Sequence, residues 1–272
     1  MLARADFARP RTIVVAALVL GVVAGLAGAV FHTVATEPRL DEAVALEEAG
    51  GEGTRGAGGD HHEEVGEDGE VSVSRTDQKG VGLYLAYALT GASFGLLLAV
   101  TSLSLRTPGD DPFRRVVVSG TVLAGAVTVA PWLKYPPNPP GVSDAATVGE
   151  RERLYVLAIV VVALVLAGLA HLSGRLRAAA WPDDRRVAAV VAIGLVVLAP
   201  VFGLLPPSPD PVHAPANLVW QFRLNSLTGN LLVWALLTVS LGVVWSGSVR
   251  SAARRARSAQ NSMPLSADTP AS

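Results

Sequence analysis

Six stretches of this chain contain no Asp, Glu, Lys or Arg: Thr12–Val34, Val81–Leu105, Val116–Leu133, Leu154–Leu172, Val187–Leu205 and Leu227–Val249. Each is close to the roughly 20 residues a helix needs to cross about 30 Å of hydrocarbon. In lipid every backbone N–H and C=O must be paired within the segment, so such stretches are helical. β-Branched runs such as Ile159–Val162 would suit a strand in water, but these segments are too long and lack polar alternation. The fold class expected is therefore all-α: a polytopic membrane bundle of about six helices. The third stretch is short and carries Pro131 near its end, so five spans remain open. Arg4, Arg9 and Arg11 precede the first stretch, as in a secretory leader. Its apolar run exceeds the 7–15 residues of a leader core, so we read it as a span.

Overall composition agrees. Half the residues are hydrophobic and 17% are charged, against about 25% in ordinary soluble domains. There is no Cys, hence no disulfide, thiolate metal site or cysteine nucleophile. The net charge of −1 hides an asymmetry. With the N-terminus inside, fourteen Arg and Lys fall on the inner side and eight on the outer. The positive-inside rule then places both termini in the cytoplasm. Acids included, the inner segments carry +8 and the outer −9. Nothing in this pattern points to nucleic acid.

The expected organisation has four parts. Residues 1–34 form the cytoplasmic end and first helix, and 35–80 an acidic outer loop. Residues 81–249 hold helices two to six with Pro-rich outer loops, and 250–272 a disordered cytoplasmic tail. The 35–80 loop has 13 acids against 4 bases. After Pro38 a short helix is expected to about Ala49; the Gly-rich remainder lacks apolar mass and is expected to be disordered. Gly21 with Gly25, and Gly91 with Gly95, are small-xxx-small steps that would let the first two spans pack closely. Trp132, Trp181, Trp220 and Trp245 lie near span ends, where interfacial anchoring would place them. Arg250–Arg257 reads as a basic stop that touches anionic lipid.

Chemistry concentrates on the outer side. The acidic loop contains Asp60-His61-His62-Glu63-Glu64, and imidazole with carboxylate suits a first-row divalent cation. His61, His62, Glu63 and Glu64 are thus candidate capture ligands, while a solvated linker with incidental histidines is the plainer alternative. His32, on the outer turn of the first helix, and Glu37 are candidate ligands at the bundle mouth. Motifs of zinc proteases, serine hydrolases and P-loop enzymes are absent, so energy coupling would be external or gradient-driven. The pairs Asp110-Asp111 and Asp183-Asp184 read as turn formers.

Two outer connections are more specific: PWLKYPPNPPG from Pro131, followed by Gly149-Glu150-Arg151, and PANLVWQFRLNSL from Pro215. Four prolines in five residues enforce an extended path. Lys134, Glu150, Arg223 and Asn225 would then gather at one membrane face, as pathway candidates. These segments, with the first helix ending in His32 and Glu37-Pro38, resemble the CbtA family of cobalt transporter subunits. The likeness covers Thr12 to Val249. It implies Co²⁺ as the transported ion with no permanently bound cofactor, and no enzyme activity. It also implies a small single-span, His-bearing CbtB-like partner in the inner (plasma) membrane. The family is described with five spans. Lipid contact and a homo-oligomer are further expectations. Two other readings stay open: a membrane enzyme or assembly factor binding an anionic or lipid-linked substrate through Lys134, Glu150 and Arg223, and a metal-responsive scaffold or sensor.

Capture by 60–64 should be weak, because ordering a loose chain costs roughly 1–2 kcal/mol per residue fixed. Cobalt titration of a peptide spanning this stretch should show affinity fading as pH falls through about 6.5, where free imidazole protonates. Equal affinity about one pH unit above and below that value would refute imidazole ligation.

Overall fold

The computed structural model describes residues 10–51, 78–106, 111–139, 145–209 and 214–261, and these are helical apart from connections. Helix α1 is Pro10–Ala35, and α2 is Glu37–Gly51, where the short helix after Pro38 was expected. A kinked segment, Gln78–Gly82, with Gly80 outside helical angles, leads into α3, Leu83–Ser104. The third span is α4, Pro112–Ala124, a π turn at Gly125–Val129 and α5, Ala130–Lys134. Helices α6, Val148–Ala178, α7, Asp183–Leu204, and α8, Ala216–Asn261, complete the chain. Six helical segments are long and apolar enough to cross a membrane.

Local sequence explains the boundaries. Asp111 caps α4, accepting from the amides of Phe113 at 3.2 Å and Arg114 at 3.4 Å, with Pro112 in the first turn. Asp183 opens α7 and pairs with Arg186 at 2.9 Å. Asp111, Asp183 and Asp184 thus sit at helix starts, while Asp110 lies outside the described residues. Pro131 lacks an N–H and its ring crowds the carbonyl four residues back. The widened π turn at Gly125–Val129 precedes it, and the third span continues to Lys134 instead of breaking.

Glycine governs the packing of α1 on α3. A Cβ built on Gly21 would overlap the carbonyl of Gly91, and one on Gly25 the carbonyl of Tyr87. Gly91 faces Gly21 in return, and Gly95 faces the carbonyl of Ala17. The two small-xxx-small steps therefore meet, backbone against backbone, along antiparallel helices. Helix α8 lies on another side of α1, also antiparallel, with Val233 at Gly28 and Gly229 at His32. Helix α4 packs antiparallel on α8 through Gly120 at Thr238 and Phe113 at Gly242. Ile13, Ala17, Leu98, Val116, Val233, Leu237, Leu241 and Trp245 form the main core.

Trp245 departs from the anchoring expectation, since it is buried at 2% exposure with the Arg115 guanidinium 4.8 Å from its ring centre. Trp234 stacks on Phe94 at 4.3 Å and donates to Thr128 at 3.0 Å. Trp181 is exposed at its helix junction. Helices α6 and α7 pair with each other and present most of their apolar surface outward, as lipid-facing helices do. They join the bundle through Tyr135, Leu154, Ala158 and Leu205.

Overpacking should separate tight glycines from open ones. Gly21→Leu or Gly91→Leu drives a side chain into backbone and should cost at least about 1–3 kcal/mol. Gly168→Ala and Gly174→Ala, with nothing within 4 Å of the added carbon, should keep or raise stability by up to about 1 kcal/mol. Thermal unfolding of the four variants in one detergent tests the difference, and equal midpoints would refute glycine-limited packing.

Candidate functional site

One end of the bundle gathers polar groups from three apolar helices. The α1 helix ends there with His32 and Thr33, Thr36 links it to α2, and Glu37 begins α2. His32 is 5% exposed, Thr36 4% and Glu37 8%. Nδ1 of His32 lies 2.8 Å from Oγ1 of Thr36, one turn on. The imidazole also packs on Tyr87 of α3, centroids 4.7 Å apart, and edge-on to Phe31 at 5.4 Å. Its Nε2 is buried and has no hydrogen-bond partner among the described residues. Gly229 of α8 closes over that side of the ring.

Asn225, one turn from Gly229, donates from Nδ2 to the carbonyl of Ala35 at 2.6 Å. This bond ties α8 to the end of α1 and uses one of the last carbonyls of α1, which have no intrahelical donor. Asn230 donates to the carbonyl of Ser226 at 2.9 Å, within α8. Helix α2 continues past Glu37 against α1 and α8, with Ala43 buried. Lys79, before α3, pairs with Asp41 of α2, and Arg39 pairs with Glu42 at 3.1 Å. Among the described residues no three His, Asp or Glu side chains converge on one point.

The same end carries the Pro-rich connection. Arg223 donates from Nε to the carbonyl of Pro137 at 3.3 Å and from its terminal nitrogen to Oδ1 of Asn138 at 2.6 Å. Trp132 donates to the carbonyl of Arg223 at 3.0 Å, with Trp220 6.5 Å away. Lys134 donates to the carbonyl of Phe202 at 2.8 Å, in the last turn of α7. Tyr135 donates to the carbonyl of Pro206 at 2.8 Å, and burial pushes its phenol pKa up from the ordinary 10.0. The guanidinium fork and the ammonium thus hold backbone in place, with Arg223 fastening the extended 136–139 segment to α8.

The expected site residues fall into three groups. His32, Glu37 and Asn225 come together at the junction of α1, α2 and α8. Lys134 and Arg223 lie at the same end, engaged with main chain, and Glu150 is exposed in the first turn of α6. His61, His62, Glu63 and Glu64 lie outside the described residues. Sequence reasoning passed over Thr36 and Gly229. Spacing offered one signal for the first, since residues four apart on a helix share a face. Nothing local marked Gly229, whose role depends on which helix lies opposite.

Curated proteins and solved structures give no match to the chain. A family model described as "Probable cobalt transporter subunit (CbtA)" matches residues 10–246. Over nearly all of its apolar helices and both Pro-rich connections, this multi-pass membrane chain belongs to the CbtA family.

Proposed function

We propose that the chain is the membrane-spanning subunit of a Co²⁺ uptake system in the plasma membrane, with both termini cytoplasmic. The observation that carries this reading is the group of buried His32, Thr36 and Glu37 with half-buried Asn225 at one mouth of the bundle. Ionisable side chains within membrane helices are costly and tend to mark ion routes. The excess of Arg and Lys on the opposite end supports placing this mouth outside. The outer charge of −9 would raise the local cation concentration there.

In this mechanism His61, His62, Glu63 and Glu64 capture the cation and pass it to His32 and Glu37. Among the described residues the converging ligands are too few to hold a stripped divalent ion. A subunit of such a system therefore takes further ligands from its partner, for which a small single-span His-bearing CbtB-like protein is suited, or from another copy of itself. The reading in which Lys134, Glu150 and Arg223 hold an anionic substrate has less support, because Lys134 and Arg223 are engaged with backbone carbonyls.

Two measurements test this. A reporter fused at Ser272 should be active only as a cytoplasmic fusion, and activity confined to the other side would overturn the orientation. Labelled-cobalt uptake, in a strain lacking other importers and with the partner co-expressed, tests the route. His61→Ala with His62→Ala should raise the external Co²⁺ needed for half-maximal uptake and leave the maximal rate nearly intact. Changing His32 or Glu37 should lower the maximal rate, since no outside concentration restores a ligand missing from the route. Background uptake by the unmodified, verified chain would reject transport.

A further inference from the structure

One polar atom at the mouth is unaccounted for. Nε2 of His32 is buried with no hydrogen-bond partner among the described residues, and such burial carries a desolvation cost. What it meets is Gly229, because a Cβ built there falls on Nε2. That is the direction taken by one of glycine's own α-hydrogens, so the hydrogen points at the ring nitrogen. A proton on Nε2 would set hydrogen against hydrogen. A lone pair there accepts a weak Cα–H contact instead. The ring proton of neutral His32 therefore belongs on Nδ1, which donates it to Thr36 Oγ1 at 2.8 Å. Metal-ligating histidines are held in this way, with one ring N–H given to a fixed partner and the other nitrogen presenting its lone pair.

We infer that His32 is a latent divalent-cation ligand through Nε2, with Thr36 as its positioning residue and Gly229 as its closure, and that it opens when α8 parts from α1. The inference deepens the uptake reading and rests on it. A first-row cation sits about 2.0–2.1 Å from an imidazole nitrogen. Gly229 occupies that line of approach, so cation binding and the closed α1–α8 contact exclude each other. Any larger residue at 229 would strike the ring and prevent closure. The bond from Asn225 to the Ala35 carbonyl, one turn further along, is the polar tie that the same separation breaks.

The test uses the full chain carrying His61→Ala and His62→Ala, reconstituted in lipid nanodiscs, with Co²⁺ alone as probe. Ring ¹⁵N shifts, with the His32 signal identified by its loss in His32→Gln, should show the Nδ1–H form. Thr36→Val should shift His32 away from that form and weaken Co²⁺ binding by about 10–100-fold. Thr36→Ser should restore both. An Nε2–H ring in the unmodified mouth, or unchanged affinity in Thr36→Val, would overturn the ligand assignment.

The closure is read separately. Gly28 faces Val233 one turn below the ring, and the chain has no native Cys, so Gly28→Cys with Val233→Cys can lock α1 to α8. Oxidation should abolish Co²⁺ binding at His32 and uptake, and reduction should return both. Equal uptake in the two redox states would overturn the closure. Background uptake by the unmodified chain overturns the transport reading, whereas the nanodisc measurements still decide the ligand.

Discussion

Everything in this bundle is arranged around the approach of two backbones, α1 and α3, to the distance that only glycine allows. Lipid supplies no hydrophobic force to press apolar helices together, so association depends on close packing over a long seam. Gly21, Gly25, Gly91 and Gly95 provide that seam. Bringing α3 close on one side leaves α1 free to receive α8 on another, so that α1 becomes the central helix. The position of His32 follows. The ring lies at the end of the seam, between Tyr87 of α3 and Gly229 of α8.

The membrane class and six spans were legible because charge-free runs of this length have one stable state in lipid. The meeting of the paired glycines was legible for a related reason: the same four-residue step occurs in two consecutive spans. Less was legible where the outcome depends on rotation about a helix axis. Trp245 reads as an interfacial anchor by depth, yet its face of α8 turns towards α4 and Arg115. Lys134 and Arg223 read as a pathway by charge, whereas the nearby carbonyls of Phe202 and Pro137 engage them. The first carbonyl ends α7 and the second lies in the Pro-rich connection, and the place of both follows from helix packing. Gly229 was hidden for the same reason.

The two ends of the bundle solve different problems. At the Arg115 end, a guanidinium rests on an indole face and acidic residues begin the helices, giving a rigid and charged boundary. At the His32 end, the contacts of the ring and of the α1–α8 tie are made by neutral groups, while the ion pairs Lys79–Asp41 and Arg39–Glu42 lie around α2. One hydroxyl orients one ring, and one amide joins two helices. Bonds between neutral groups contribute only about 0.5–1.5 kcal/mol net each, so few would be lost in a rearrangement there. The strong guanidinium contacts lie beside this group, on the connection that fastens α8.

That fastening has a mechanical side. Helix α8 is continuous for 46 residues, about 69 Å at 1.5 Å per residue, more than twice the hydrocarbon thickness. It is held near one end, at Arg223, by Trp132, Pro137 and Asn138. Val233, Leu237, Leu241 and Trp245 bury it in the main core as well, so α8 is held along its membrane length and not at Arg223 alone. Beyond Val249 the same rod runs on for about 18 Å to Asn261, past the packed part, and carries Arg250, Arg254 and Arg255 exposed there.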